Sequence, residues 1–381
     1  HPMPWLDIGR LLAALAVAMA HLSLIFKLGW NDTWATVALS WFFVLSGFIM
    51  AHAHPDCRPV RKVLVDFWLR RIIRIVPAYW IFLILSAVWF AWGIGQYGVH
   101  WFQIAGRPEF LTFDIASSAY LSDWQTKFID HFLFLGAFDE ASSGRYLFSP
   151  PLWSLYSEMF FYLLFPFLMP LVLYIKKGWG LSLAFVLWLA QGVIIFVCVE
   201  QLPNRDFVTT QAIIYSNPLV RLIEFVIGIL ACHWLSSASH SACQRLRHPI
   251  FIAMNLIALV GIIMIAPKIP TPFNLYWIAV PLLLWNILIL SQIKFTFTRF
   301  SVVAGGSSYI IYLIHWTLWE MAHALDVRID SPSVTLGLMI ALIILSILLW
   351  LFIDQPVRNW LYVLARNHEL LNRRNDVDKK S

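Results

Sequence analysis

Residues 5–29 read WLDIGRLLAALAVAMAHLSLIFKLG, and this stretch decides the fold. At ~1.5 Å per residue its apolar body is long enough to cross a hydrocarbon core of about 30 Å as one helix. Two polar residues sit within it, Arg10 and His21, with ten small or apolar residues between them. On a helix they share one face at a separation of roughly 16 Å, so the pair can touch two ends of one long ligand. The intervening alanines let other helices approach closely. An ionisable residue inside a span is costly, which makes Arg10 and His21 the first candidates for function.

Working outward, comparable runs recur at about 33–53, 76–96, 152–175, 179–200, 217–236, 249–267, 274–292, 302–324 and 333–354. They predict an all-α polytopic membrane protein of about ten transmembrane helices. With 60% hydrophobic and 13% charged residues, the chain has too little polar sequence to cover a water-soluble globule. The net charge of +6 does not read as a nucleic-acid footprint, because the basic residues cluster between spans. Arg58, Arg61, Lys62, Arg70, Arg71 and Arg74 share one predicted side with Lys176 and Lys177, Arg245 and Arg247, Lys294 and Arg299, and the basic residues from Arg358 onward. The positive-inside rule makes that side cytoplasmic and puts both termini there. The expected organisation is a single transmembrane domain over 1–356 and a basic cytoplasmic tail over 357–381. The four cysteines have no CxxC spacing, so neither a disulfide framework nor a metal site is expected.

Between the second and third runs, residues 58–75 alternate apolar and basic positions at helical spacing and predict an amphipathic interfacial helix. It reads either as a headgroup anchor or as a phosphate-binding rim. In the long outer loop 97–151, the apolar piece from Phe128 to Phe138 predicts a short helix lying on the outer surface.

Several costly groups converge on one layer by depth: His21, Glu158, the pair Arg221 and Glu224, and His315, with Tyr309 mid-membrane and Glu320 beyond. A histidine suits removal of a proton from a hydroxyl near neutral pH, and a nearby carboxylate can orient it. Arg10, at the cytoplasmic end of the same face, can hold phosphate through its forked donors. Structural alternatives stand beside these. His315 can simply bridge two helices, while Arg221 with Glu224, and Asp7 with Arg10, can be self-neutralising pairs one turn apart. Ser46-Gly47 and Gly305-Gly306 read either as close helix packing or as a narrow wall beside a ligand channel.

Taken together these pieces resemble the membrane-bound acyltransferase 3 family. The resemblance rests on Arg10 with His21, on Phe42-Phe43-Val44-Leu45-Ser46-Gly47-Phe48, and on Arg70-Arg71-Ile72-Ile73-Arg74-Ile75-Val76-Pro77-Ala78-Tyr79. It continues through the run from Trp153 to Pro166, which holds Glu158, through Arg221-Leu222-Ile223-Glu224-Phe225-Val226-Ile227-Gly228, and through Ser308-Tyr309-Ile310-Ile311-Tyr312-Leu313-Ile314-His315. It implies an integral membrane O-acyltransferase that moves an acyl group, usually acetyl from acetyl-CoA, to a hydroxyl of a cell-surface polysaccharide or lipid-linked glycan. His21 and Glu158 are then the catalytic residues. Arg10, Arg70, Arg71, Arg74, Ser46 and Tyr79 bind the donor, and Trp153, Arg221, Glu224, Tyr309 and His315 support the site. The implied location is the bacterial cytoplasmic membrane, with membrane lipid, acyl-CoA and a glycan as partners and no nucleic acid. Two positions depart from the family pattern: Met159 replaces a second acidic residue, and Asp354-Gln355-Pro356 stands for a Glu-Arg-Pro-like motif. Some relatives add a periplasmic SGNH-type domain; this chain is expected to acylate its acceptor directly or through a separate protein. Two other readings stay open, a proton-coupled transporter or flippase and an acyltransferase for a small lipophilic hydroxyl compound.

Overall fold

The structure, a computed structural model, describes residues 3–30, 33–107, 123–138, 146–201, 214–265, 268–269, 277–293 and 298–367. The expected tail beyond Asn367, Lys294 and parts of the outer loops lie outside these residues. Among the described residues the chain is all helical, in chain order α1 (Pro4–Phe26), α2 (Thr33–Ala53), α3 (Arg61–Tyr97), α4 (Trp124–Phe132), α5 (Trp153–Leu173), α6 (Gly180–Gln201), α7 (Pro218–Leu235), α8 (His240–Arg247), α9 (Pro249–Ile265), α10 (Val280–Gln292), α11 (Thr298–Ala324), α12 (Pro332–Leu349) and α13 (Gln355–Asn367). A π-turn, Trp350–Asp354, joins α12 to α13, so the helical course runs straight across the expected boundary at residue 356.

Each of the ten predicted runs contains a helix. Among the described residues seven helices are long and apolar enough to cross a membrane, eight if α8 and α9, bent by 58°, count as one. The other two predicted spans fall short for physical reasons. At 13 residues α10 is only about 20 Å long, and α11 is diluted by Gly305, Gly306, Ser307, Ser308, His315 and Glu320. Lipid-facing helices carry apolar residues outward, as Val193, Phe196, Ile257 and Val260 do, because hydrocarbon cannot solvate polar groups.

Two sequence expectations change. Residues 61–75 do not form a separate interfacial helix; they are the first turns of α3, a single 37-residue helix with Pro77 inside it. The run of helix formers carries through, and the proline removes one hydrogen bond without ending it. Nor does the 128–138 segment lie on the outer surface. Its helix α4 folds back along α3: Trp80 stacks on Phe132 at 4.4 Å, Tyr79 donates to the His131 carbonyl at 2.6 Å, and His131 is fully buried against the Tyr156 hydroxyl.

The core is held by close backbone approach. Where α2 crosses α7, Gly47 faces the carbonyl of Phe225 and Gly228 faces that of Val44, with no room for a side chain at either. The packing reading of the Ser46-Gly47 step therefore holds for Gly47. α1 lies along α11, where Trp319 donates to the Ala18 carbonyl at 2.9 Å.

Outside the spans, His54 accepts from Arg71 at 3.3 Å, and burial together with Arg71 and Arg70 pushes its imidazole down to about 4. In the unfolded chain a histidine titrates near 6.5. Between those values the unfolded chain binds a proton that the folded one refuses, so stability is full above about 6.5 and falls as pH drops toward 4. The melting temperature measured from pH 7 to 4.5 should decline less steeply in His54→Gln, which keeps an acceptor for Arg71, than in the wild type.

Candidate active site

One cavity penetrates the bundle. Its walls carry Asp7 and Arg10 of α1, Arg71 and Arg74 of α3, Glu158 and Tyr162 of α5, Tyr309 and Tyr312 of α11, and Asp354 and Arg358 around the π-turn. Its open volume is about 310 Å³, room for an extended arm rather than a whole nucleotide-bearing molecule. Four guanidinium groups and three carboxylates thus line one space, so its charge favours an anion.

The groups are held by sequence-local pairing. Arg10 reaches back one turn to Asp7 at 3.2 Å, the i, i+3 pair expected from the sequence. Arg358 pairs with Asp354 at 2.8 Å, four residues apart. Arg71 lies over the rings of Phe67 and Tyr162 at 5.8 and 5.9 Å. Arg74 makes no ion pair or hydrogen bond with any described residue. Glu158 accepts from Ser46 at 2.9 Å and from Tyr162, while Ser46 and Tyr162 contact each other at 2.8 Å. Ser46 therefore orients the carboxylate although its own hydroxyl is buried behind the cavity wall.

The sequence reading joined His21 to Glu158; among the described residues no hydrogen bond links them, and Glu158 lines the cavity whereas His21 does not. The face of α5 carrying Glu158 meets α2, whereas the face of α1 carrying His21 is covered by α11. His21 instead bonds His315, Nδ1 to Nε2 at 2.8 Å, with the two rings stacked 7° from parallel. His315 Nδ1 lies 3.0 Å from the carbonyl of Ile311, which can only accept, so that nitrogen carries the hydrogen. His315 Nε2 is then an acceptor in the neutral ring, and His21 Nδ1 must donate to it. His21 is left with an unprotonated Nε2, the lone pair a general base needs, and no described residue bonds it. His315 thus bridges two helices, as the structural alternative held, and fixes a tautomer as well.

Neither histidine lines the cavity, but Tyr312 lines it and packs against His315. Its hydroxyl contacts Ser154 at 2.6 Å and donates to the Pro151 carbonyl at 2.9 Å, and its ring stands 5.8 Å from that of His315. Tyr309, also on the wall, donates to the Ile75 carbonyl at 2.8 Å.

The remaining candidates are placed elsewhere. Arg70 is turned to Asp66 at 2.9 and 3.1 Å, and Tyr79 is spent on the His131 carbonyl, so neither lines the cavity. Trp153 packs between Phe43 and Tyr215. Arg221 and Glu224 form a fully buried pair at 2.8 Å, joined by Ser40 and Gln191; this is the self-neutralising alternative. Sequence reasoning passed over Tyr312 and Ser154, which looked like ordinary apolar-span residues, and Arg107. Arg107 meets Glu320 in a buried ion pair and donates to the carbonyls of Leu147 and Phe148 at 2.9 and 3.1 Å. That pairing closes the outer loop over the Trp316 ring, which stands edge-on to His21 at 5.0 Å. Asp354 was noticed only as a departure from a pattern, and its place in an apolar run was the usable signal.

A family model described as an acyltransferase domain matches residues 3–351. The chain is similar to YrhL of Bacillus subtilis, provisionally named a peptidoglycan O-acetyltransferase, with 28% identity over 68% of this chain and 38% of that protein. It is also similar to the peptidoglycan O-acetyltransferase OatA of Listeria monocytogenes, with 23% identity over 93% of this chain and 56% of that protein. The chain thus spans between about two fifths and three fifths of the length of these relatives. No solved structure matches it.

Proposed function

Because this chain belongs to the acyltransferase 3 family, we propose that it moves an acyl group, acetyl in the simplest case, from cytosolic acyl-CoA to a hydroxyl of a surface glycan or its lipid-linked precursor. The observation that carries this reading is the cavity lined by Arg10, Arg71, Arg74 and Tyr312, with Tyr312 packed against His315, which in turn bonds His21. Four guanidiniums suit the phosphates of such a donor, and the narrow volume suits its uncharged thioester arm. Both curated relatives are named for acetylating a glycan, peptidoglycan, which supports a glycan acceptor here.

In this reading the basic side faces the cytoplasm of a bacterial cell, with the chain seated in its inner membrane. Arg10, Arg71 and Arg74 hold the donor at the cavity mouth. Glu158, fixed by Ser46 and Tyr162, lies along the arm's path. His21 Nε2 takes the proton of the acceptor hydroxyl, and the charge that then forms on the ring is stabilised by His315 Nε2 and, through it, the Ile311 carbonyl.

The test is thiol release from acetyl-CoA by purified protein in lipid, with surface-glycan extract as acceptor. Acceptor-dependent release is expected; sealed vesicles that move solute without consuming acetyl-CoA would replace this reading with a transporter. For Arg10→Gln we expect CoA affinity to fall about 10- to 100-fold, the scale of a charge-assisted pair lost from a partly buried site. Unchanged CoA binding by that variant would remove Arg10 from the donor site.

A further inference from the structure

Asp354 and Arg358 lie beyond residue 351, where the family match ends, yet both side chains line the cavity. The π-turn Trp350–Asp354 brings them there, since its wider turn re-aims the residues that follow. It is seated by Gly306 of α11, and the neighbouring Gly305 admits Asp7 of α1. A Cβ on Gly306 would stand 2.2 Å from the Trp350 indole, and one on Gly305 would stand 2.9 Å from the Asp7 carboxylate. Asp7 of the Asp7–Arg10 pair and Trp350 at the start of the π-turn therefore approach the same stretch of α11, each using one missing side chain.

The hydrogen-bonding balance of this wall is uneven. Arg71 Nε, Trp350 Nε1, Arg358 Nε and Asp354 Oδ1 are all buried without a partner among the described residues. Asp354 is only 4% exposed, and its other oxygen is already bonded to Arg358. Buried polar groups are normally satisfied, and each unmet one is costly. All four belong to residues that line one cavity, and a ligand that draws these side chains toward it would meet them. Three are donors and one is an acceptor, so the ligand is rich in acceptor oxygens and offers at least one O–H or N–H. A phosphate beside a hydroxyl or amide has that composition; a sugar, with donors and acceptors in similar number, fits it less well.

We propose that Arg358 and Asp354 are donor-binding residues: Arg358 takes a phosphate oxygen, and Asp354 orients the guanidinium while accepting a hydroxyl or amide hydrogen of the same molecule. The inference rests on the acyl-CoA reading and adds to it a second anchor supplied by the segment after α12. It makes the basic segment from Gln355 a working part of the site. A pair serving only to close the end of α12 would leave donor affinity untouched.

The experiment is isothermal titration of the full chain in nanodiscs with CoA and with adenosine 3′,5′-bisphosphate, the nucleotide end of that donor alone. Arg358→Gln is expected to weaken both about 10- to 100-fold. Arg358→Lys should fall between this variant and the wild type, because an ammonium keeps the charge and loses the planar fork. Asp354→Asn should lose about 3- to 10-fold. Size-exclusion profiles select folded protein, and if Arg358→Gln does not fold, the lysine and asparagine variants decide. Wild-type binding matched by all folded variants overturns the inference and leaves the donor reading standing. A wild type that binds neither probe removes the donor reading, and the inference with it.

Discussion

His21→Ala is expected to lower acyl transfer by about 10³-fold while leaving CoA affinity within about twofold of the wild type. General-base catalysis by a positioned histidine contributes typically 10²–10⁴-fold, and His21 is placed to supply it with the correct tautomer, since His315 and the Ile311 carbonyl direct its hydrogen to Nδ1. It does not line the cavity proposed for the donor, so its removal should spare binding. Single-turnover thiol release, alongside titration with CoA, reads the two effects separately. The same relay makes a prediction for His315. Glutamine can still accept from His21 Nδ1, so His315→Gln should keep most of the rate, whereas His315→Leu should lose most of it. Full activity in His21→Ala would assign the chemistry elsewhere. A matching loss in the glutamine and leucine variants would show that His315 does more than orient its neighbour.

Gly228→Ala is expected to yield no folded protein. A Cβ at Gly228 would lie 2.0 Å from the Val44 carbonyl oxygen, and one at Gly47 would lie 1.8 Å from that of Phe225. Both obstructions are backbone, so no rotamer change relieves them; α2 and α7 must move apart. Separating them would loosen Phe225, which packs on Phe161 and Phe165, and would disturb Ser46, which orients Glu158. Overpacking of this kind typically costs 1–3 kcal/mol and occasionally more, and here it acts on two backbones at once. Gly261→Ala is the control, because a Cβ there meets nothing within 4 Å and alanine is the better helix former. Monodisperse yield in detergent and melting temperature compare them. Equal yields would mean that the crossing of α2 and α7 is more open than this geometry describes.

The helices were legible in the sequence because hydrocarbon imposes one simple rule: every spanning backbone must satisfy itself, and long apolar runs announce where it does so. Charge pairs one turn apart were legible as one of two open readings, since Asp7–Arg10 and Arg221–Glu224 depend only on helical spacing. Lateral position was not. His21 and Glu158 share a depth, and depth led to their being joined, but which face of α1 meets which neighbour depends on packing that no single helix encodes. The fold-back of α4 was hidden for a related reason. An apolar segment of eleven residues, Phe128 to Phe138, looks alike whether it floats at a surface or fills a gap, and what fixes it, Tyr79 and Trp80 on α3, is far away in the chain. Tyr312 was missed because a tyrosine in a span announces no partner.

The unbroken course of α3 has a mechanical consequence. Arg74 and Trp92 belong to one rod and are separated by eighteen residues, about 27 Å of helix. Their spacing is set by covalent geometry and main-chain hydrogen bonds, not by how neighbouring helices happen to pack. α3 is therefore a strut that registers the basic mouth of the cavity against the aromatic cluster of Trp89, Trp92 and Trp101. Pro77, where one rung of the helix is missing, is its natural fulcrum. Thinning or thickening of the surrounding bilayer would tilt this strut as a lever before it altered the distance between its two ends.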